Sequence, residues 1–312
     1  FSTPYLDATI PVIDDSQGNG NGFVDPGETV SIQVPLFNPW RNASRGVSSA
    51  HAVLTSGTPG VLISDDISDY GSIPAGGTGL GDSFSFTLDP GAACGSSLQF
   101  DLATTSSLGK AVTSFALRVG RPTGPAAPVT LTRTIPGGLS IPDATYAGVN
   151  DSFAIDQDLE IADLDFRLDS LTHTWVGDLY VHLKGPSGLG MGLIYRPAKC
   201  GVKSAMYCSL GTNDGDNFIN TRIDDSSVHD LWAAGDEAAP FTGDWLPHLN
   251  SPSLVENSYY RSIDPVGQLS HFIGQSTRGT WQVRVEDYMA GEAGTLNSWS
   301  LIVTPVAYQC GP

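Results

Sequence analysis

From Val30 the chain alternates. Val30, Ile32, Val34 and Leu36 form one apolar set, interleaved with Ser31, Gln33 and Pro35. A period of two sends successive side chains to opposite faces, as in a strand half buried against a core. Runs of the same kind recur at 51–55, 61–63, 83–88, 97–102 and 112–119, parted by Gly, Pro and Ser turns. Six or seven short strands in about 120 residues predict an immunoglobulin-like β-sandwich.

Residues 120–128 break the pattern, with three prolines, two glycines and no apolar period. Such a stretch reads as a linker. It divides the chain into a first module at 1–121, a linker at 122–128 and a second module at 129–312. Strands resume at 159–168, 178–184, 280–286 and 299–303. In the second of these, Leu179, Val181 and Leu183 face one way and Tyr180, His182 and Lys184 the other, and Trp281, Val283 and Val285 repeat the arrangement. The one helix-like stretch, 228–239, is broken by Gly235 and predicts a turn or two on a loop.

Composition supports an all-β chain. Among 312 residues, 36 are Gly and 21 Pro, and only 15% are charged, a load that long helices would not tolerate. The formal net charge is −18, shared by both halves, and so negative a surface repels phosphate backbones and anionic lipid. Nucleic acid and membrane insertion are therefore not expected as partners. No apolar run approaches the length of a membrane span. Phe1 opens the sequence with neither an initiator Met nor a leader, so a processed product or a piece of a longer chain is expected. Four cysteines in a chain rich in Ser, Thr and Gly point to an exported, extracellular protein with two disulfides. Cys200 with Cys208 would close a short loop and leave Cys94 with Cys310 to tie the halves together, although four cysteines allow three pairings.

The acids are lopsided, 27 Asp against 6 Glu, and Asp is the residue of tight turns and calcium loops. Residues 14–28, Asp14-Asp-Ser-Gln-Gly-Asn-Gly-Asn-Gly-Phe-Val-Asp-Pro-Gly-Glu28, resemble a calcium loop in which oxygen ligands alternate around a Gly turn and a Glu closes the site. With Gly22 at the turn, Asn19 and Asn21 supply side-chain oxygens, Phe23 its carbonyl, Asp25 a carboxylate and Glu28 the closing contact. Gln17 stands where the first Asp belongs, and Asp15 is the substitute. Two readings stand for the point where Asp178 begins one strand and Asp287 ends another: a second calcium site with Asp224 or Asp225 as third ligand, or acids that each cap a turn through backbone hydrogen bonds.

His173-Thr-Trp-Val-Gly-Asp-Leu-Tyr-Val-His-Leu-Lys-Gly-Pro-Ser-Gly188, with Gly279-Thr-Trp-Gln-Val-Arg-Val-Glu-Asp287 and Gly294-Thr-Leu-Asn-Ser-Trp-Ser-Leu301, resembles a proprotein convertase P domain. Ile141-Pro-Asp143, Pro240-Phe-Thr-Gly243 and Leu269-Ser-His-Phe-Ile-Gly274 fall in the order that family has. The resemblance covers about residues 129–312. It implies a jelly-roll β-sandwich that follows the catalytic domain of a secreted protease, helps it fold and has no catalysis of its own. Leu189 stands where a Thr often follows, and 247–265 is longer than expected; both departures bear on loops. More loosely, the first half resembles Ig-like accessory modules of bacterial exported proteins.

Catalytic motifs are missing from the sequence. There is no Asp-Thr-Gly, His-Gly-Thr or Gly-Thr-Ser-x-Ala of a subtilisin-like triad, no His-Glu-x-x-His and no Gly-x-Ser-x-Gly. The expected function is thus a non-catalytic accessory region of a secreted protease. Its partners would be the catalytic domain of the same polypeptide and protein substrate, with calcium as cofactor. A calcium-dependent adhesion or carbohydrate-binding module is the alternative, with Trp175, Trp232 and Trp245 as stacking platforms, although core packing is the expected place for them.

Overall fold

The computed structural model describes residues 6–41, 45–197, 211–231, 234–247 and 268–311, and almost all regular structure in them is strand. The chain divides into two units, Phe1–Gly124 with Ala307–Pro312, and Pro125–Val306.

The first unit is a β-sandwich. One sheet orders Gly109–Arg118, Ser97–Ser106, Val47–Thr55 and Ile67–Ile73; the other orders Val12–Asp14, Thr29–Gln33, Phe84–Leu88 and Val61–Asp65. All these pairings are antiparallel. Alternation produces the core directly. Leu98, Phe100 and Leu102 point inward to meet Val30, Ile32, Phe84 and Phe86, while Gln99 and Asp101 point out. Phe100 is the hub, its ring 5.1 Å from Phe86 and 5.4 Å from Phe115.

The second unit is also a β-sandwich. One of its sheets pairs Gly294–Gln309 with both Val129–Ile141 and Ile161–His173, and continues through Phe218–Ile223 to Phe241–Trp245. That last pairing is parallel. The facing sheet runs Thr145–Ile155, Gly279–Asp287, Leu179–Lys184, Gly190–Tyr195. Between the two lie Phe166, Val181, Leu183, Trp281, Val283, Val285 and Trp299, all at 0% exposure. A polar tie crosses this core. Asp151 on Thr145–Ile155 accepts two hydrogen bonds of 3.0 Å from Arg133 and one of 2.8 Å from the indole N–H of Trp299. Burial alone would push the Asp151 carboxyl up, but these donors outweigh it and hold it below the ordinary carboxylate range.

Two expectations change, and a third, the short turn within 228–239, holds. The stretch read as a linker is ordered: Arg121–Pro125 is a strand beside the end of Gly294–Gln309, where the Thr123 hydroxyl donates to the Ala307 carbonyl. Proline is tolerated here because the strand lies at the edge of its sheet, where some N–H positions need no partner. Tyr180 and His182 are buried along with Leu179, Val181 and Leu183, so that strand is covered on both faces. Burial, then the charges of Arg284 and Lys184, push the His182 imidazole down to about 4. The helix-like stretch contains only a 3-10 turn at Asp236–Ala238 among its described residues.

Candidate functional site

Residues 15–28 connect the antiparallel strands Val12–Asp14 and Thr29–Gln33, and they bury two carboxylates, Asp15 and Asp25. Asp25 is 1% exposed. Its Oδ2 accepts from the side-chain amides of Asn19 at 2.9 Å and Asn21 at 2.6 Å, and its Oδ1 accepts the Gly311 N–H at 2.9 Å. Desolvation raises the Asp25 carboxyl, but the Asn19, Asn21 and Gly311 donors together bring it below its ordinary value. Glu28 closes the loop, accepting from the backbone N–H of Asn19 at 2.7 Å and of Asp25 at 3.1 Å. Asp15 reaches across to accept the Gly22 N–H at 3.0 Å. The Phe23 N–H donates to the Asn21 amide oxygen at 2.8 Å. Glycine is required at two of these positions: a Cβ on Gly18 would collide with the Glu28 carboxyl, and Gly22 has φ +86°. The six residues singled out from the sequence are thus gathered in one loop. Asp15, Asp25 and Glu28 bring the carboxylates of this loop, and the Asn19 and Asn21 amide oxygens accept the Asn21 and Phe23 N–H groups.

The second expected group divides. Asp178 and Asp287 do come together, and His173 joins them. The Trp175 N–H donates to His173 Nδ1 at 3.1 Å, which leaves the ring proton on Nε2 to donate to Asp287 Oδ2 at 3.2 Å. Asp287 also accepts the Met289 N–H, and the Tyr288 N–H binds the Asp178 carbonyl. Burial and the neighbouring Asp287 charge push Asp178 up to about 6, against the pull of Arg196 and His173 and with Glu292 adding to the rise. Asp287 is raised as well, chiefly by burial.

Asp224 and Asp225 serve elsewhere. Asp224 accepts from Arg222 at 2.6 Å and from the Ser226 N–H and hydroxyl at 2.7 Å. Asp225 accepts the Leu269 and Ser270 N–H groups at the start of the 3-10 turn Leu269–Phe272. Unpaired backbone donors and a guanidinium close in sequence win these carboxylates over more distant acids. Among the described residues no group of three or more His, Cys, Asp or Glu side chains is arranged to hold a metal ion.

The sequence reading missed Asp165. Burial and the Asp224 charge push this carboxyl up to about 7, with Arg222 opposing and Asp163 and Asp244 adding. Nothing in the spacing of 163, 165, 224 and 244 signals the cluster, because strand pairing of Phe166 with Ile223 creates it.

Cys94 and Cys310 form a disulfide within the first unit, with Cα atoms 5.8 Å apart. A Cβ on Gly120 would lie 2.8 Å and 2.9 Å from the two sulfurs, so only glycine fits beside the bridge. Cys200, Cys208 and Trp232 lie outside the described residues. Trp175 donates its indole N–H to the Gly211 carbonyl and Trp245 packs edge-on against Phe241, so both are tied into the second unit. No helix among the described residues is long and apolar enough to cross a membrane.

Among solved structures, the serine protease of Aeromonas sobria is similar, alone and in complex with its chaperone. Identity is 15% in both, the TM-scores are 0.30 and 0.31, and the matches cover 66% and 67% of this chain. The chain spans 36% of each of those protease chains. The C-terminal domain of the Streptococcus pyogenes antigen I/II-family protein AspA is similar at 9% identity and TM-score 0.22, over 97% of this chain and 92% of its own. Likeness at this level carries no argument about function. No curated protein matches the sequence. The family model of the proprotein convertase P-domain matches residues 248–303, and so places P-domain sequence in the second unit.

Proposed function

We propose that this chain is a non-catalytic accessory region of a secreted protease, in which the second unit stabilises the catalytic domain or assists its engagement of substrate. The P-domain match at residues 248–303 carries the reading. The buried sandwich core and the Asp151 tie support it, since close packing makes a rigid unit suited to bracing a neighbour. A serine-type partner and an extracellular location are part of the same proposal. The test is to produce the protease encoded in the same frame with and without this region and follow its thermal inactivation. A shorter half-life without the region is expected, and equal half-lives would overturn the reading.

The first unit contributes a structural calcium site in this account. With the Asn19 and Asn21 amides turned so that their oxygens face inward, Asp15, Asp25 and Glu28 complete an oxygen cage that pins the loop between its strands. Calcium should then raise the melting temperature of the first unit, and Asp25→Asn should abolish the rise. A melting temperature indifferent to calcium and chelator would contradict it.

A further inference from the structure

The loop around Asp25 contains the two Asn-Gly steps of the sequence, Asn19-Gly20 and Asn21-Gly22. Asn followed by Gly is the pair most open to attack of the backbone nitrogen on the side-chain amide, because glycine puts no side chain in the way. The surroundings of the two steps differ. At Asn21 the Gly22 N–H, which must lose its proton, is bound to the Asp15 carboxylate at 3.0 Å. The Asn21 amide oxygen, which must take up negative charge, is bound by the Phe23 N–H at 2.8 Å. Asn21 and Gly22 are exposed, and no atom lies within 4 Å of where a Gly22 Cβ would stand, so water reaches the step. At Asn19 the amide oxygen has a similar donor, the Asn21 N–H at 3.0 Å, but among the described residues no carboxylate takes the Gly20 N–H.

We propose that Asn21-Gly22 is a site of spontaneous self-modification, in which Asp15 as proton acceptor and the Phe23 N–H as oxyanion donor promote closure of a succinimide. The Gly22 nitrogen bonds to Asn21 Cγ as its proton passes to Asp15, and the charge on Oδ1 is met by the Phe23 N–H. The Cγ–Nδ2 bond then breaks, the proton returns from Asp15, and ammonia leaves. Water opens the ring to aspartate or isoaspartate at position 21, so the sum is amide plus water giving acid plus ammonia, with no redox change. A consequence follows for the loop. The Asn21 amide that donates to Asp25 at 2.6 Å becomes a carboxylate, and an attraction becomes a repulsion between like charges. The step belongs to the calcium-free loop, in which Asp15 faces the Gly22 N–H and the Asn21 amide oxygen faces the Phe23 N–H.

The test keeps the purified chain in chelator at neutral pH and measures amide-to-acid conversion at each Asn by peptide mass spectrometry, with the released ammonia as a second readout. Asn21 should convert about tenfold or more faster than Asn19, and Asp15→Asn, which can still accept the Gly22 N–H but is no base, should slow it by a similar factor. The same chain held in urea supplies a comparison that needs no variant, and there the preference for Asn21 over Asn19 should vanish. Equal rates at Asn19 and Asn21 in the folded protein, or a preference that persists in urea, would overturn the proposal, as would an unchanged rate in a folded Asp15→Asn protein.

Discussion

Asp25 in the first unit and Asp178 in the second are both nearly sealed from solvent, at 1% and 3% exposure, yet their carboxyls move in opposite directions. Desolvation acts on both. Asp25 is met by two amides and a backbone N–H, and these donors hold it ionised. Asp178 is met by another carboxylate, and it rises to about 6. Burial alone does not set the state of an acid here; the donors or charges that meet the carboxylate do. It repeats inside the second unit, where Asp151 has Arg133 and Trp299 and is lowered, while Asp165 faces Asp224 and rises to about 7.

The largest effect expected is on the cores that make the two environments separate. Phe100→Ala should cost the first unit about 4 kcal/mol, since it empties the centre of a closed aromatic cluster. Five of the six tryptophans lie beyond residue 125, so urea unfolding followed by tryptophan fluorescence reports chiefly on the second unit. That transition should stay in place while far-UV circular dichroism shows the first unit melting earlier; a shift in both would break the separation. Next comes Asp151→Ala, which leaves the buried indole N–H of Trp299 and the Arg133 guanidinium without their acceptor. It should cost the second unit about 3 kcal/mol by the same urea titration. An unchanged fluorescence midpoint would mean that the tie is ornamental.

The smallest effect sharpens the sign of the comparison. Folded Asp165 keeps its proton up to about 7, whereas an unfolded Asp releases it near 3.8, so the folded second unit binds more protons between those values. Stability should therefore fall as pH rises through that window. Asp165→Asn should flatten the fall and gain on the order of 1 kcal/mol at neutral pH. For Asp151 the sign reverses: its folded value lies below the unfolded one, and its contribution is present above the unfolded value and lost as pH falls through the folded one. Melting temperatures across pH for the wild type and Asp165→Asn check both signs; parallel curves would contradict the assignment.

Much of the fold was legible in the sequence, and the reasons are local. The strand Ser97–Ser106 alternates cleanly because one face is wet, and its neighbours do the same. Strands such as Thr145–Ile155, Phe218–Ile223 and Phe241–Trp245 were missed because Gly148, Asn220 and Gly243, all at positive φ, interrupt the alternation. The first loop was legible as a loop because its polar contacts lie within fifteen consecutive residues. The second group could not, because a carboxylate takes the nearest suitable donor: Asp224 had Arg222 and Ser226 two positions away, and Asp225 had the amides opening a turn. His173 has its partner Asp287 114 residues away, and only strand pairing reveals it.

The second unit, with P-domain sequence at residues 248–303, is proposed to serve a protease. The direct measurement is the thermal-inactivation half-life of the intact protease carrying Asp151→Ala beside one carrying Phe100→Ala. The account predicts a half-life shortened severalfold by Asp151→Ala, which loosens the second unit, and a much smaller change from Phe100→Ala. Half-lives indistinguishable from the wild type for Asp151→Ala, with the variant's second unit shown to melt earlier, would contradict it.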